Sequence, residues 1–456
     1  MPEHPLEAAY REFSPGSAAK TERTHRVFPG GDTRASAHYA PYPLVIDHAQ
    51  GARLTDVDGN ELRDFMNNFT SLIHGHAFPP VVEAVQTQIA KGSAFAAPNE
   101  DQIALAELIS ERVNSIEQLR FTSSGTEGTQ MAIRCARAAT GKQKIMKIEG
   151  GYHGSYELAE VSLVPLPNAA GPEEEPKSLP VDPSFPASVL ADTVVCPYNR
   201  SDIATELLDK HASDLAGVIV EPVLGSMGMA PASQEFLQTL RDGTTKLGIP
   251  LIFDEVITLR LNAGGAQADL GVEPDLTCMG KIIGGGLPVG GIGGKAELMD
   301  YFNPSRSNPV MHASTFSGNA LTMSAGLAAM QVYTADEAKR INALGESLRA
   351  GFNAVFSQAG IRAIAQGTGS LSNVLFTDEP CVNARASLDA MAAAGQISRL
   401  LHLTMLRHGV MSASRLMYCV STAMTEADIE FAIEAMAASV AELKPHIEQD
   451  RPNLLL

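Results

Sequence analysis

Short apolar runs alternate with helix-like stretches between about residues 75 and 335 of this 456-residue chain. The clearest runs are residues 119–121, 144–148, 216–220 and 251–253. This alternation favours a mostly parallel sheet covered by helices. Ligands bind beyond the carboxyl ends of the strands in such a sheet. We therefore predict an α/β fold whose functional residues come directly after these runs, namely Thr122 onward, Glu149 onward, Glu221 and Asp254.

The flanking segments have a different pattern. An Asp58-Gly59 turn between strand-like runs in residues 53–60 predicts a hairpin. The Ala, Leu, Glu and Met content of residues 336–357 and 425–443 predicts helices. Residues 165–186 are proline-rich and predict a loop, which is either a surface excursion or a flap near the active site.

Composition limits the function classes. With 45% hydrophobic and 19% charged residues, the chain is globular and long enough for two or three domains. A net charge of −18 argues against a nucleic-acid partner, because no basic stripe is available to neutralise phosphates. The five cysteines are widely spaced without a CxxC pair, which favours buried free thiols over a disulfide framework or a metal site. With no signal-peptide pattern and no apolar run of membrane-spanning length, we expect a cytoplasmic protein.

Lys281 and Asp254 point to the chemistry. Lys281 is flanked by glycines, where the backbone can approach a bulky ligand, and its amine could form a Schiff base with an aldehyde. Asp254 ends the run 251–253 and could keep a pyridine nitrogen protonated. Taken singly, each is more simply a solvated lysine or a strand-end acid. Together they predict a pyridoxal phosphate enzyme.

Three further segments fit this cofactor. The hydroxyl-rich turn 122–126 precedes a helical pattern and could offer backbone N–H groups to a phosphate, although an ordinary N-cap explains it too. Tyr152 lies among glycines and could stack on a planar ring, or sit in a plain surface turn. Thr315 precedes the helix-like stretch 320–333 and could add one more hydroxyl to an anion site.

These segments resemble class III pyridoxal phosphate aminotransferases of fold type I. The similarity extends over most of residues 25–440 and is greatest to the branch of glutamate-1-semialdehyde aminomutase and the β-amino acid (β-phenylalanine type) aminotransferases. It departs from the usual pattern at Gly128 and Thr129, past the phosphate contacts. The motifs that carry it are Ser124-Gly125-Thr126-Glu127, Gly151-Tyr152-His153-Gly154, Val220-Glu221-Pro222, Phe253-Asp254-Glu255-Val256, the segment 280–290 around Lys281, and Thr315-Phe316-Ser317-Gly318-Asn319.

The resemblance implies a large domain with a mostly parallel seven-stranded sheet and a smaller α+β domain built from both chain ends. Residues 75–333 would form the large domain, and residues 1–74 and 334–456 the small one. It also implies a homodimer with shared active sites.

The resemblance further assigns roles to single residues. Lys281 would form the Schiff base and move the proton at the substrate carbon. The cofactor-binding residues would be Asp254 at the pyridine nitrogen, Val256 and Tyr152 on the two ring faces, Ser124, Gly125 and Thr126 at the phosphate, Thr315 from the neighbouring subunit, and His153 and Glu221.

Two arginines bear on the substrate. A guanidinium group binds a carboxylate bidentately, although a single arginine is more often a surface or structural ion pair. The resemblance places Arg34 at the carboxylate of a β-amino acid donor and Arg415 at that of the keto acid acceptor. The aminomutase carries its own arginine where this chain has Ala37. We therefore predict amino transfer from a β-amino acid to a keto acid such as 2-oxoglutarate or pyruvate.

Three alternatives remain open. An aminomutase would return the amine to the same molecule, and a racemase or epimerase of this fold would exchange a proton without amine transfer. A non-catalytic interaction protein is a different class, which an intact Lys281 and Asp254 disfavour.

Overall fold

A computed structural model of the protein describes residues 3–456 and contains two compact units. The large unit comprises residues 79–339 and 381–388. The small unit comprises the chain up to Phe78 together with residues 340–380 and 389–456. Each unit is therefore assembled from separated stretches of the chain.

The elements are numbered in chain order. The strands are β1 Ile46–Gln50, β2 Arg53–Asp56, β3 Glu61–Asp64, β4 Gln118–Thr122, β5 Lys144–Ile148, β6 Thr193–Cys196, β7 Leu215–Val220, β8 Val223–Leu224, β9 Ala230–Pro231, β10 Leu251–Asp254, β11 Leu276–Gly280, β12 Gly290–Gly294, β13 Ile364–Thr368, β14 Leu371–Leu375, β15 Val410–Met411 and β16 Met417–Cys419. The helices are α1 Pro5–Phe13, α2 Pro15–Val27, α3 Asn67–Thr70, α4 Pro79–Ile89, α5 Glu100–Arg112, α6 Gly125–Thr140, α7 Glu157–Glu160, α8 Ala187–Ala191, α9 Ser201–Lys210, α10 Gln234–Leu247, α11 Gln267–Leu270, α12 Ala296–Met299, α13 Ala320–Val332, α14 Ala335–Ala359, α15 Ala384–Ala394, α16 Ile397–Arg407 and α17 Glu426–Asp450.

The large unit is built on a seven-stranded sheet in the order β4-β12-β11-β10-β7-β5-β6. Strand β12 runs antiparallel to both of its neighbours, while the pairs among β11, β10, β7, β5 and β6 are parallel. The predicted mostly parallel α/β sheet is confirmed. Residues 165–186 contain neither strand nor helix, in agreement with the predicted loop.

Both faces of this sheet are covered, because alternate residues of its strands point to opposite sides. Leu251 and Phe253 pack in a core with Phe236 of α10 and Leu207 of α9. Ile252, between them in the chain, packs in the opposite core with side chains of α6. The strands are therefore held on both sides, and their carboxyl ends are set at a common edge.

The small unit contains a four-stranded sheet, β1-β2-β3-β15, and a three-stranded sheet, β13-β14-β16. The predicted hairpin is present as the antiparallel pair β2–β3, with Gly59 at φ +84° in its turn. The predicted helices 336–357 and 425–443 correspond to α14 and to the greater part of α17. All five cysteines are buried free thiols, as predicted. None of the helices described between residues 3 and 456 combines the length and apolar character of a bilayer span.

Candidate active site

The carboxyl ends of five strands in the large unit place the predicted cofactor residues along one edge of its sheet. Strand β4 leads into Ser123 and Ser124, and β5 leads into the turn 149–153. Strand β7 is followed by Glu221, β10 ends at Asp254, and β11 ends one residue before Lys281. Residues that are far apart in the chain are therefore brought to one edge by the parallel strands.

The first part of the site is the amino end of α6. Ser124 caps this sixteen-residue helix, and its Oγ accepts a hydrogen bond from the Glu127 N–H at 3.2 Å. The Glu127 carboxylate in turn accepts from the Ser123 N–H at 2.8 Å. The first turn of a helix has N–H groups without intrahelical partners and a partial positive charge, which suits a phosphate.

Gly125 brings this helix end against the end of β10. A Cβ atom at Gly125 would lie 3.0 Å from Val256 Cγ2, so a larger residue would displace one of them. At Gly280, directly before Lys281, a Cβ atom would lie 3.3 Å from Val256 Cγ1 and 3.6 Å from Gly125 Cα. The turn at the amino end of α6, Val256 and the lysine loop thus meet at a cradle of small residues that larger side chains would fill.

Lys281 begins a short 3-10 turn, Lys281–Gly284, directly after β11. Its φ is +49°, a left-handed conformation that is uncommon for a residue with a side chain. Such strain persists where the surrounding structure enforces it, and it clusters at functional sites. Here it sets the direction in which the side chain leaves the backbone.

Asp254 is a buried carboxylate with 5% of its surface exposed. Its Oδ2 lies 2.8 Å from His153 Nδ1, and its Oδ1 accepts the Val256 N–H at 3.1 Å. Burial lowers the pKa of His153, which favours the neutral ring with Nδ1–H donating to Asp254. His153 therefore orients the carboxylate and leaves Asp254 with acceptor capacity for a protonated ring nitrogen.

Glu221 and Lys147 form hydrogen bonds to the backbone of the turn that contains Tyr152. The Tyr152 N–H donates to Glu221 Oε1 at 2.9 Å, and Lys147 Nζ donates to the Gly151 carbonyl at 2.9 Å. Burial, reinforced by the charge of Asp254, raises the pKa of Glu221 to about 8. Burial lowers the pKa of Lys147 to about 7. Tyr152 is 39% exposed and is therefore accessible to a planar ligand.

Hydroxyl groups connect the turn at the amino end of α6 to its neighbours. Thr126 Oγ1 accepts the Ser155 N–H at 3.4 Å, and Ser155 Oγ lies 3.2 Å from the Tyr152 hydroxyl. On another side, Ser123 Oγ lies 3.2 Å from Ser314 Oγ. Thr315, next to Ser314, is exposed on a turn.

An ion pair near Tyr152, between the partly buried Arg385 and the buried Glu149, was not foreseen from the sequence. Arg385 Nε and Nη2 donate to the two oxygens of Glu149 at 2.8 and 2.9 Å, and Nη1 donates to the Gly171 carbonyl at 2.8 Å. Ala384 also packs on Gly150, where a Cβ atom would lie 2.3 Å from the alanine methyl. Residues 381–388 thus contact both the turn before Tyr152 and the loop 165–186. No local signal marks Arg385, because its partner is 236 residues away.

We expect Arg385→Ala to lower the free energy of unfolding by about 3 kcal/mol, because Glu149, whose side chain is only 2% exposed, would lose its bidentate partner. Urea unfolding followed by circular dichroism measures this change. Lys246→Ala is the control, since it breaks the exposed Lys246–Asp209 pair and should cost less than about 1 kcal/mol. Equal small losses in the two variants would show that the Arg385–Glu149 pair does not stabilise this turn.

Arg34 and Arg415 lie in the small unit, where both approach Phe69. The guanidinium carbon of Arg34 is 5.8 Å from the centre of the Phe69 ring, and that of Arg415 is 5.7 Å from it. Arg34 Nη1 also donates to Asn68 Oδ1 at 2.9 Å. The two predicted carboxylate-binding residues are therefore neighbours. Asn68 and Phe69 were not among the predicted site residues.

Comparison with known proteins identifies the family. The family model for class III aminotransferases matches residues 35–411. The chain is a class III aminotransferase. This aminotransferase is 36% identical to a β-phenylalanine transaminase of Variovorax paradoxus over 95% of each chain. It is 40% identical to a glutamate-1-semialdehyde 2,1-aminomutase of Thermodesulfovibrio yellowstonii over 90% of this chain and 95% of the relative.

A solved ω-transaminase of Sphaerobacter thermophilus has the same architecture as this class III aminotransferase. The two chains superpose with a TM-score of 0.90 at 44% identity, over 95% of this chain and 99% of the other. The predicted family and fold type are confirmed, and the enzyme is a transaminase whose cofactor is pyridoxal 5′-phosphate. The donor set fits this cofactor, because helix-end N–H groups suit its phosphate, a buried carboxylate its ring nitrogen and a lysine its aldehyde.

Proposed function

We propose that this aminotransferase moves the amino group of a β-amino acid, such as 3-amino-3-phenylpropanoate, to a keto acid such as 2-oxoglutarate or pyruvate. The observation that carries this proposal is the pair of guanidinium groups on Phe69, those of Arg34 and Arg415. An enzyme that accepts two carboxylates in turn benefits from two cationic groups. The similarity to a β-phenylalanine transaminase supports a β-amino acid as the donor.

When bound, pyridoxal phosphate supplies an aldehyde that takes up the amino group and a ring that withdraws electrons from the substrate carbon. We assign two tasks to Lys281 Nζ. It would bind the aldehyde of the cofactor and, once released, would accept the proton that leaves the substrate carbon. The Asp254 carboxylate would keep the ring nitrogen protonated, with His153 fixing its orientation at 2.8 Å. A base and a fixed negative charge in a buried site together favour loss of this proton.

The other predicted residues would hold the cofactor. The N–H groups of Gly125 and Thr126 and the Ser124 hydroxyl would bind the phosphate. Tyr152 and Val256 would pack on the two faces of the ring, and Glu221 would support Tyr152 through its backbone N–H.

In the proposed homodimer, Thr315 would reach the phosphate of the neighbouring subunit. Its loop is exposed, and so are the flanking apolar side chains of Met311 and Phe316, 65% and 60% of whose surfaces are accessible. The homodimer and the cytoplasmic location stay predictions.

The proposed function is tested by following the two half-reactions separately. Adding 3-amino-3-phenylpropanoate alone to the loaded enzyme should move the visible absorption band into the near ultraviolet, and adding 2-oxoglutarate or pyruvate should restore it. Arg34→Ala should raise the half-saturating donor concentration about tenfold or more, and Arg415→Ala should do the same for the acceptor. Each loses charge-assisted hydrogen bonds to one carboxylate.

Arg11→Ala provides a matched control in the same unit, because Arg11 forms an exposed pair with Glu3 and should affect neither half-reaction. Equal losses in both half-reactions for Arg34→Ala and Arg415→Ala would refute the assignment of one arginine to each substrate. A band that does not respond to the β-amino acid would refute the proposed donor.

Intramolecular amino transfer is the second candidate function, and the 40% identity to an aminomutase favours it. An aminomutase turns over glutamate-1-semialdehyde without an external keto acid. Product formation from that substrate alone, measured by mass spectrometry, would replace the proposed function by this one. Loss of deuterium from the substrate carbon without any change in the absorption band would instead indicate a racemase or epimerase.

A further inference from the structure

The chain between β3 and α4 contains a run of left-handed residues. Asn67, Asn68, Phe69 and Thr70, the segment α3, have φ values of 47°, 46°, 55° and 73°. Asparagine tolerates this conformation, but phenylalanine and the β-branched threonine do not adopt it readily. A strained segment of this length persists only where its surroundings enforce it, and such segments concentrate at ligand-binding sites.

The surroundings of this left-handed turn, residues 67–70, do enforce it. Asp64 Oδ1 accepts the N–H groups of Met66 and Asn67 at 2.8 and 2.9 Å, and Asp64 Oδ2 lies 2.7 Å from His76 Nε2. The buried Asn67 amide donates to the Cys419 carbonyl at 3.0 Å. The small unit thus fixes the base of the turn on both sides.

The side chains presented at the top of the turn face the two arginines. Asn68, which is exposed, accepts a hydrogen bond from Arg34, and the half-buried Phe69 ring lies near both guanidinium groups. Neither contact neutralises a positive charge, because an amide oxygen and an aromatic face are uncharged partners. Arg34 is therefore oriented by Asn68 and retains its charge for a carboxylate.

We infer that the left-handed turn is the specificity-determining element for the two substrates: Asn68 orients Arg34 for the donor carboxylate, and Phe69 keeps Arg34 and Arg415 as separate binding groups. This inference rests on the proposed function. Asn68 and Phe69 act through the arginines and are positioning residues. The turn places an uncharged hydrogen-bond acceptor and a ring beside Arg34. A carboxylate side chain at this place would form an ion pair with Arg34 and exclude the substrate.

Two substitutions at Asn68 test its role without disturbing the backbone, since aspartate and glycine both tolerate left-handed φ. Asn68→Asp should form an ion pair with Arg34 and raise the half-saturating donor concentration at least about tenfold. Asn68→Gly removes one hydrogen bond and should raise it by about fivefold. The acceptor half-reaction should change less than about twofold in both variants. An unchanged donor half-reaction in Asn68→Asp, or equal changes in both half-reactions, would overturn the role of Asn68.

Phe69→Leu keeps an apolar side chain and removes the ring. It should raise the half-saturating concentrations of donor and acceptor alike, each by about two- to fivefold, through loss of the contact with each guanidinium. Phe69→Tyr keeps the ring and should stay within about twofold of the parent enzyme for both substrates. An effect on one substrate only, or a Phe69→Tyr variant as impaired as Phe69→Leu, would overturn the role of Phe69.

Retention of the cofactor's visible band shows that each variant has folded. If Asn68→Asp does not fold, Asn68→Gly decides the outcome: an unchanged donor half-reaction, or equal changes in both half-reactions, would overturn the role of Asn68. Failure of the inference and failure of the proposed function are distinguishable. If Arg34→Ala leaves the donor half-reaction intact, the proposed function fails. If the donor half-reaction is impaired in Arg34→Ala but not in Asn68→Asp, only the role of the turn is refuted.

Discussion

Lys281→Ala is expected to reduce the rate of the donor half-reaction by about ten-thousand-fold. This side chain is assigned two tasks, covalent attachment of the cofactor and movement of the proton at the substrate carbon, and a positioned base alone contributes roughly a hundred- to ten-thousand-fold. Its left-handed φ of +49° also means that the backbone is strained to deliver this one side chain.

The measurement combines kinetics with chemical trapping. Treatment of the loaded enzyme with borohydride should fix the cofactor to a peptide that contains Lys281, and mass spectrometry locates the added mass. The same treatment of Lys281→Ala should attach no cofactor. Lys246→Ala, which alters an exposed lysine, should behave like the parent enzyme in both assays. Attachment at another lysine in the parent enzyme would refute the assignment.

Asp254→Asn is expected to lower the donor half-reaction by about a hundred- to a thousand-fold. The substitution keeps the size of the side chain but removes the negative charge that we assign to the protonated ring nitrogen. Removing one partner of a buried charge pair costs about 3–5 kcal/mol, and each 1.36 kcal/mol corresponds to tenfold in rate. Asp254 is 5% exposed, so water cannot substitute for the lost charge.

Single-turnover kinetics with 3-amino-3-phenylpropanoate measure this effect. Asp275→Asn is a matched control, because Asp275 is also a buried aspartate of the large unit, 7% exposed, but precedes β11 and pairs with Arg241 and Lys295. It should destabilise the fold and leave the rate constant within about twofold. Similar rate losses in the two variants would mean that Asp254 acts through stability rather than on the ring nitrogen.

The site in the large unit could be predicted largely from local patterns. Strand β7 is an apolar run followed by Glu221, and β10 is an apolar run that ends in Asp254, so the positions of these two acids at the sheet edge followed once the strands were recognised. The glycines around Lys281 and the hydroxyl-rich start of α6 are likewise local signals. The roles of these residues stay predictions, while the fold and the family are confirmed.

The contacts that support the site could not be predicted in this way. Lys147 belongs to an ordinary strand pattern, yet it is completely buried, and Arg385 reaches Glu149 from 236 residues away. The left-handed turn 67–70 contains no glycine that would predict it, and its conformation depends on hydrogen bonds that it donates to Asp64 and to Cys419.

By itself, the sequence determined the order of strands and helices, the position of the polar residues at the strand ends and the chemistry available there. Hydrophobic periodicity and turn residues act over a few positions, so these features can be read locally. Only the tertiary structure decided which distant charges pair with each other and which ring lies near both Arg34 and Arg415. The free energies of ion pairs and strained turns depend on burial and on partners brought in from elsewhere in the chain, and packing alone sets both.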